Sequence, residues 1–176
     1  MQVFIINGRG GAGKDQFITY FTEYAGRDYV CNISTVDYVK KVALSLGWDK
    51  YKDDLSRKYL SLLKDMATYW GDIPYWDVVK RTNEFYLSLE QHGVEKRGFV
   101  FIHCREPNEI QRLIDSLNTR YTASSLLIRR PSDKIYGNHA DDDVEYYKYD
   151  YIIDNNATLD DLNLKAKQFY DMLKQE

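Results

Sequence analysis

Val3–Ile6 is an unbroken run of β-branched and aromatic residues, the pattern of a short strand buried on both faces. Phe17, Tyr20, Phe21 and Tyr24 then recur at i, i+3, i+4 and i+7, which places them on one face of a helix. Tyr29–Ile33 is a second, weaker strand. Three helical stripes follow. The first is Val36, Val39, Ala43 and Leu46, with Gly47 as a stop. The second is Leu55, Tyr59, Leu62, Met66 and Tyr69. The third is Tyr75, Val78, Val79, Thr82, Tyr86 and Leu89, with Pro74 near its start and Gly93 at its end. Phe99–Ile102 is again strand-like, and Pro107 opens a helix that carries Ile110, Leu113, Ile114 and Leu117 on one face. Ser124–Ile128 is a strand, Arg129 to Lys148 is polar and aperiodic, and Tyr151–Ile153 is a last strand. Thr158 and Asp161 form a capping pair ahead of Leu159, Leu162, Ala166, Phe169 and Leu173.

Short strands alternating with helices predict an α/β fold, a central parallel sheet of about five strands with helices on both faces. Ligands in such sheets sit beyond the carboxyl ends of the strands. A length of 176 residues fits one domain, and no repeat or linker interrupts it.

The junction after the first strand carries the most chemistry. Gly8, Gly13 and Lys14 satisfy G-x-x-x-x-G-K within "GRGGAGK". Such a loop turns tightly and keeps side chains clear, so that backbone amides can meet phosphate oxygens. The following helix adds its positive N-terminal end, and Lys14 can reach the outer phosphates. The expected donor-binding residues are Gly8, Arg9, Gly10, Gly11, Ala12, Gly13, Lys14, Asp15 and Gln16. Asp15 stands where a Ser or Thr hydroxyl usually touches Mg²⁺. It suits either a helix cap or a Mg²⁺ ligand, since hard cations prefer oxygen.

Net charge of −3 gives no bulk attraction to nucleic acid or anionic membrane, so any anion site must be local. No apolar stretch approaches the ~18 residues of a membrane helix. No signal peptide is apparent, and Cys31 and Cys104 are too few for a disulfide framework. A cytoplasmic protein with reduced thiols is expected. Cys104 adjoins His103, but neighbours on a strand point to opposite faces, which argues against a cysteine–histidine pair.

Gly-Lys-Asp at the end of the loop resembles the P-loop kinases that include phage deoxynucleoside-monophosphate kinases and, more distantly, animal-type phosphomevalonate kinases. "FVFIHCREPNEIQRL", residues 99–113, is similar to the deoxynucleotide kinase pattern of an apolar strand, Asp-x-Arg, then aromatic-Pro-Asn-Glu opening a helix; Arg105, Pro107, Asn108 and Glu109 match. "NHADDDVEYYKYDYIIDNNATLDDL", residues 138–162, is similar to the end of the family's lid. His139 matches there, with Asp141 and Asp142 in place of the Ser-Glu pair. The usual Mg²⁺-holding aspartate at the end of the third strand is His103 here, a poor partner for Mg²⁺, and Gln16 stands where Thr is frequent.

The resemblance implies a single NMP-kinase-like P-loop domain over residues 1–176. Its acceptor-binding helical region covers about 36–92 and its lid about 130–148. It implies transfer of the γ-phosphoryl group of ATP, with Mg²⁺, to a nucleoside or deoxynucleoside monophosphate. Lys14, Arg129 and Arg105 are the candidate catalytic residues. Asp37, Lys40, Arg57 and Arg105 are candidates for the acceptor, Asn155 for the donor nucleotide and Asp15 for the metal. The partner would be a small nucleotide, with no nucleic acid and no membrane. A nucleotide-binding protein without transfer activity, and a kinase for another phosphorylated metabolite, are the alternatives; His103 motivates the first.

Overall fold

The computed structural model describes residues 1–51, 53–91, 98–130, 144 and 147–175. The expected end of the third helix at Gly93 lies outside them, as does most of the expected lid with His139, Asp141 and Asp142. Five strands form one sheet in the order β2-β3-β1-β4-β5: β1 (Gln2–Asn7), β2 (Val30–Ser34), β3 (Phe99–His103), β4 (Thr122–Arg129) and β5 (Tyr151–Asp154). Every pairing is parallel. The register sets Ile6 beside His103 and Ser34 beside the same residue, so the carboxyl ends of β1, β2 and β3 finish level. After β1 the chain passes over β3 to β2, and it later crosses to β4 on the other side. The first glycine loop therefore sits at a switch in strand order, where an open parallel sheet leaves a crevice.

Alternation along β1 explains the two layers. Val3 and Ile5 face a core completed by Ile33, Val78, Val100, Ile102, Ile110 and Leu113, under α4 (Ile73–Gln91) and α5 (Pro107–Leu117). Phe4 and Ile6 face the opposite core of Phe17, Phe21, Phe101, Leu126, Ile128, Leu162 and Phe169, under α1 (Lys14–Ala25) and α6 (Leu159–Leu173). Phe21 stands edge-on to Phe99 and Phe101 with ring centroids 5.0 Å apart, the offset geometry that aromatic quadrupoles favour. The Thr158 hydroxyl accepts from the Asp161 amide at 3.2 Å, so the expected cap starts α6.

Between β2 and β3 the chain builds α2 (Asp37–Ser45), α3 (Asp54–Gly71) and α4. α2 ends through Gly47, at φ +94°, with the Trp48 amide bonding back to Ala43 O at 2.9 Å. α3 is a regular helix capped by Asp53, whose carboxylate accepts from the Ser56 amide at 2.7 Å. It has no fully buried residue. The stripe that sequence periodicity picks out on it turns outward: Leu55, Leu62, Met66 and Tyr69 are exposed, and Tyr59 is half-buried.

Candidate active site at the carboxyl ends of β1, β2 and β3

The loop after β1 is fixed by contacts with distant strands. Gly8 has φ +144°, and a Cβ there would lie 2.4 Å from the Ile128 carbonyl oxygen. Gly13 has φ +95°, and a Cβ would meet Asn155 Nδ2 at 2.6 Å. Asn155 is buried and donates from that nitrogen to Ala12 O at 2.9 Å, bracing the loop from the end of β5. Asn7, the last residue of β1, is fully buried. Its Oδ1 accepts from the Gly8 amide at 2.7 Å, and its Nδ2 donates to Tyr149 Oη at 2.8 Å and to Arg105 O at 3.2 Å. One amide group thus joins the start of the loop to the end of β3. Gly8→Ala should destabilise the chain by about 2 kcal/mol or more, because the obstacle is backbone and the φ is left-handed. Urea unfolding checks this; a change below about 0.5 kcal/mol would show that the contact is relaxed.

Within the loop the Ala12 amide donates to Arg9 O at 3.1 Å, and Phe17 is the first residue of α1 whose amide meets a loop carbonyl, Gly13 O at 2.9 Å. The amides of Asp15 and Gln16 have no acceptor within the helix, the usual state of a first turn. Lys14 folds back over the loop and donates from Nζ to Gly8 O and, at 3.0 Å, to Arg9 O. Asp15 stands exposed at the mouth, its Oδ1 3.5 Å from His103 Nε2.

A cavity of about 510 Å³ opens beside this loop. Gly10, Gly11, Lys14 and Asp15 of the loop and first turn line it together with Thr35, Asp37, Lys40, Lys64, Arg105 and Glu106. A second cavity of about 350 Å³ adjoins it and shares Thr35, Lys64 and Glu106. Thr68, Tyr69, Asp72 and Tyr75 line its far end. That end is shaped by Arg112, which ion-pairs with Asp72 and stacks 3.9 Å over the Tyr75 ring, tying α4 to α5.

Seven expected residues, Gly10, Gly11, Lys14, Asp15, Asp37, Lys40 and Arg105, line the first cavity, whereas Gly8, Arg9, Ala12, Gly13 and Gln16 are not among its lining. Asp37 is engaged there: its carboxylate accepts from the Ser34 amide at 2.9 Å and from Arg81 Nη1 at 2.9 Å. Arg57 lies outside both cavities, solvent-exposed on α3 and paired with Asp54 at 3.1 Å. Arg129 also lies outside them. Asp154 holds its guanidinium with two hydrogen bonds, at 2.6 and 3.1 Å. Asn155 spends its side chain on the loop backbone rather than on the cavity wall.

Sequence reasoning missed Lys64. It sits mid-helix on α3, is only 18% exposed, and lies 2.5 Å from Glu106 Oε1. Its one sequence signal is its place opposite the apolar stripe of α3. Asn7 was missed as well. A buried amide closing an apolar strand just before a glycine is the signal that could have found it.

Burial alone would raise the Glu106 carboxyl, but the hydrogen bond and charge of Lys64 more than offset this and hold it below the ordinary range. Burial pulls His103 down, opposed by the Asp15 charge and aided by Lys14, which favours a neutral imidazole that meets Asn32 Oδ1 at 2.9 Å. Burial pushes the Cys104 thiol up to about 12. Buried and with its ionisation pushed that far up, Cys104 stays a thiol near neutral pH and is no nucleophile. An aromatic disulfide reagent should leave Cys104 unmodified in the native chain and modify it once denaturant opens the core; rapid native labelling, located by peptide mapping, would contradict this.

With Asp37 and Glu106 paired to cations, Asp15 is the carboxylate at the loop open to a divalent ion. Among the described residues no group of three or more His, Cys, Asp and Glu side chains could enclose a metal. Asp15 by itself forms no metal cage; Mg²⁺ keeps several waters and binds through one or two carboxylates and substrate oxygens, so a single carboxylate beside the loop is compatible with that ion. His103 offers nitrogen and does not suit that ion.

The sequence matches no protein-family model and no curated protein. Among solved structures it is similar to the APS kinase CysC of Mycobacterium tuberculosis. A cysteine-to-alanine mutant of that enzyme is 13% identical, with 98% of this chain and 96% of that chain covered and a TM-score of 0.44. The complex of the enzyme with AMPPNP and APS is 12% identical, with 98% and 97% covered and a TM-score of 0.45. At this level of similarity the fold class rests on the chain's own five-stranded parallel sheet, and any function rests on the chain's own site.

Proposed function

We infer that the chain is a phosphotransferase that moves the γ-phosphoryl group of ATP to a nucleoside or deoxynucleoside monophosphate. One observation carries this reading: a glycine loop with its lysine shares the lining of one cavity with Lys40, Lys64 and Arg105, and a second, tyrosine-lined cavity adjoins it. The first provides for a polyphosphate donor. The second provides for the planar part of an acceptor whose phosphate lies among the cations.

Phosphoryl transfer asks little covalent chemistry of the protein. The barrier falls through in-line positioning and through cations placed where charge develops. Lys14 is held by two loop carbonyls, and an entering triphosphate offers its ammonium stronger, charged acceptors. The amides of the first turn of α1 and its dipole favour the same anion. Asp15 would hold Mg²⁺, which when bound neutralises charge on the β- and γ-phosphate oxygens. Arg105, Lys40 and Lys64 would bind the acceptor phosphate. Arg129 would act at the transferring group only by leaving Asp154, and Arg57 only by a movement of α3. A neutral His103 can accept or donate one hydrogen bond beside the loop.

A reading as a nucleotide-binding protein without transfer rests on His103, which occupies the strand end where a second carboxylate would assist Mg²⁺. Coupled turnover of ATP with a panel of ribo- and deoxyribonucleoside monophosphates and other phosphorylated metabolites separates the readings. Phosphorylation of at least one nucleoside monophosphate is expected. ATP binding without phosphorylation of any acceptor would overturn the kinase reading, and preference for a non-nucleotide acceptor would reassign the second cavity.

A further inference from the structure

α3 presents an apolar stripe to solvent. Leu55, Leu62, Met66, Tyr69 and Trp70 are 76%, 53%, 68%, 94% and 84% exposed. At 3.6 residues per turn they fall within an arc about 100° wide, the width of a stripe that normally faces a core. Taking ~150–250 Å² for each large side chain, these five offer on the order of 700 Å² of apolar surface. The largest patch on a typical monomer is about 300–600 Å², whereas each partner in a standard stable interface contributes about 800 Å².

The flank of the stripe carries charge in a self-complementary order. Lys58 and Asp65 both lie just beside Tyr69 on the helical wheel, on the same edge, and both are exposed. In an antiparallel pair of helices related by a two-fold axis, residues on one edge meet residues on the same edge of the partner. The pairing that sets Lys58 against Asp65 of a second copy centres the axis between Ser61 and Leu62. In that register the two copies of Leu62 flank the axis half a residue from it, and Leu55 lies level with position 68 of the second copy, between Met66 and Tyr69. Apolar and charged positions therefore select one alignment, and among the described residues neither Lys58 nor Asp65 is ion-paired within its own chain.

We propose that the outer face of α3 is the interface of a two-fold homodimer in which α3 packs antiparallel against α3 of a second copy, with Lys58 bonded to Asp65 across the axis. An isologous patch of this kind closes on itself and leaves no open surface for further growth. The pairing also gives α3, which has no fully buried residue in the single chain, the cover that fixes it. Lys64, Asp65, Thr68 and Tyr69, which line the cavities, are carried on that helix, so the interface shares its Asp65–Tyr69 edge with the rim of the second cavity.

Sedimentation velocity of the full chain, from low nanomolar to high micromolar concentration, tests the proposal. A species of twice 20.8 kDa is expected, giving way to monomer on dilution. Met66→Lys should weaken association at least a hundredfold with an unchanged circular dichroism spectrum. Lys58→Asp and Asp65→Lys should each weaken it about tenfold, and the double exchange should restore it. A chain that is monomeric throughout, a dimer indifferent to Met66→Lys, or an exchange that fails to restore association would each overturn the antiparallel α3 dimer.

Discussion

Lys14→Met is expected to reduce phosphoryl transfer by about 10²–10³-fold, the loss typical of removing one preorganised group that meets developing charge. Such a loss corresponds to roughly 3–4 kcal/mol of transition-state stabilisation. The ammonium is the one loop side chain that bridges carbonyls from two successive residues, Gly8 and Arg9, and so sits over the hollow of the loop. Its removal returns two carbonyls to water. Both belong to a loop on the cavity wall, so the cost to folding should stay within about 1 kcal/mol. Lost transfer with retained melting temperature therefore separates chemistry from unfolding. Lys14→Arg should not rescue: a planar fork cannot occupy a pocket that holds a compact ammonium between two carbonyls. Both the KM for ATP and kcat are measured. Wild-type kinetics in Lys14→Met would remove the donor site from this loop.

The fold was largely legible because local patterns and global packing agree at most elements. Val3–Ile6 and Phe99–Ile102 have no polar residue to place on a wet face, and they became the buried strands β1 and β3. Thr158 and Asp161 are three residues apart, so their cap needs no tertiary information. α3 shows where such reading stops. Periodicity established a helix with an apolar face, and the helix formed. Periodicity states that a face favours cover; it does not state which surface supplies it, and here the chain's own core does not.

For the candidate site, the sequence foresaw which residues come together and not what they do. The glycine loop is a contiguous string whose demands on φ and on space are visible in residue types, and Lys14, Asp15, Lys40 and Arg105 meet at one cavity. Asn7 joins Tyr149 across 142 positions, and Lys64 joins Glu106 across 42. No local pattern encodes such pairs, because they exist only once α3 and the segment before β5 are folded against the sheet. Arg129 illustrates the converse. A basic residue at the end of a strand reads as an anion clamp, yet the register of β4 with β5 pairs it directly with Asp154, whose carboxyl the guanidinium holds below its usual range.

Lys64→Met is expected to raise the KM for the acceptor about ten- to a hundredfold while leaving the KM for ATP near its wild-type value, since a hydrogen bond to a charged group contributes about 1.5–3 kcal/mol. The competing account is that Lys64 is only the partner of Glu106. That account makes a different demand, on stability and its pH dependence. In the wild-type chain the Glu106 pKa is depressed, so the pair contributes stability above the unfolded carboxylate value of about 4.3, lost as pH falls through the folded value. Without Lys64, burial is the first influence left, and it acts upward. The variant should then be less stable at neutral pH and approach the wild type as acid protonates Glu106. Glu106 is about half exposed, so water screens the pair and the difference should not exceed about 1 kcal/mol. A purely structural Lys64 would show this pH-dependent stability change with an unaltered acceptor KM, and Lys64→Arg would then cure everything. A residue that also binds the acceptor shows both effects. Lys64→Arg restores the stability and only part of the KM, because a fork placed for Glu106 meets a phosphate from a different direction.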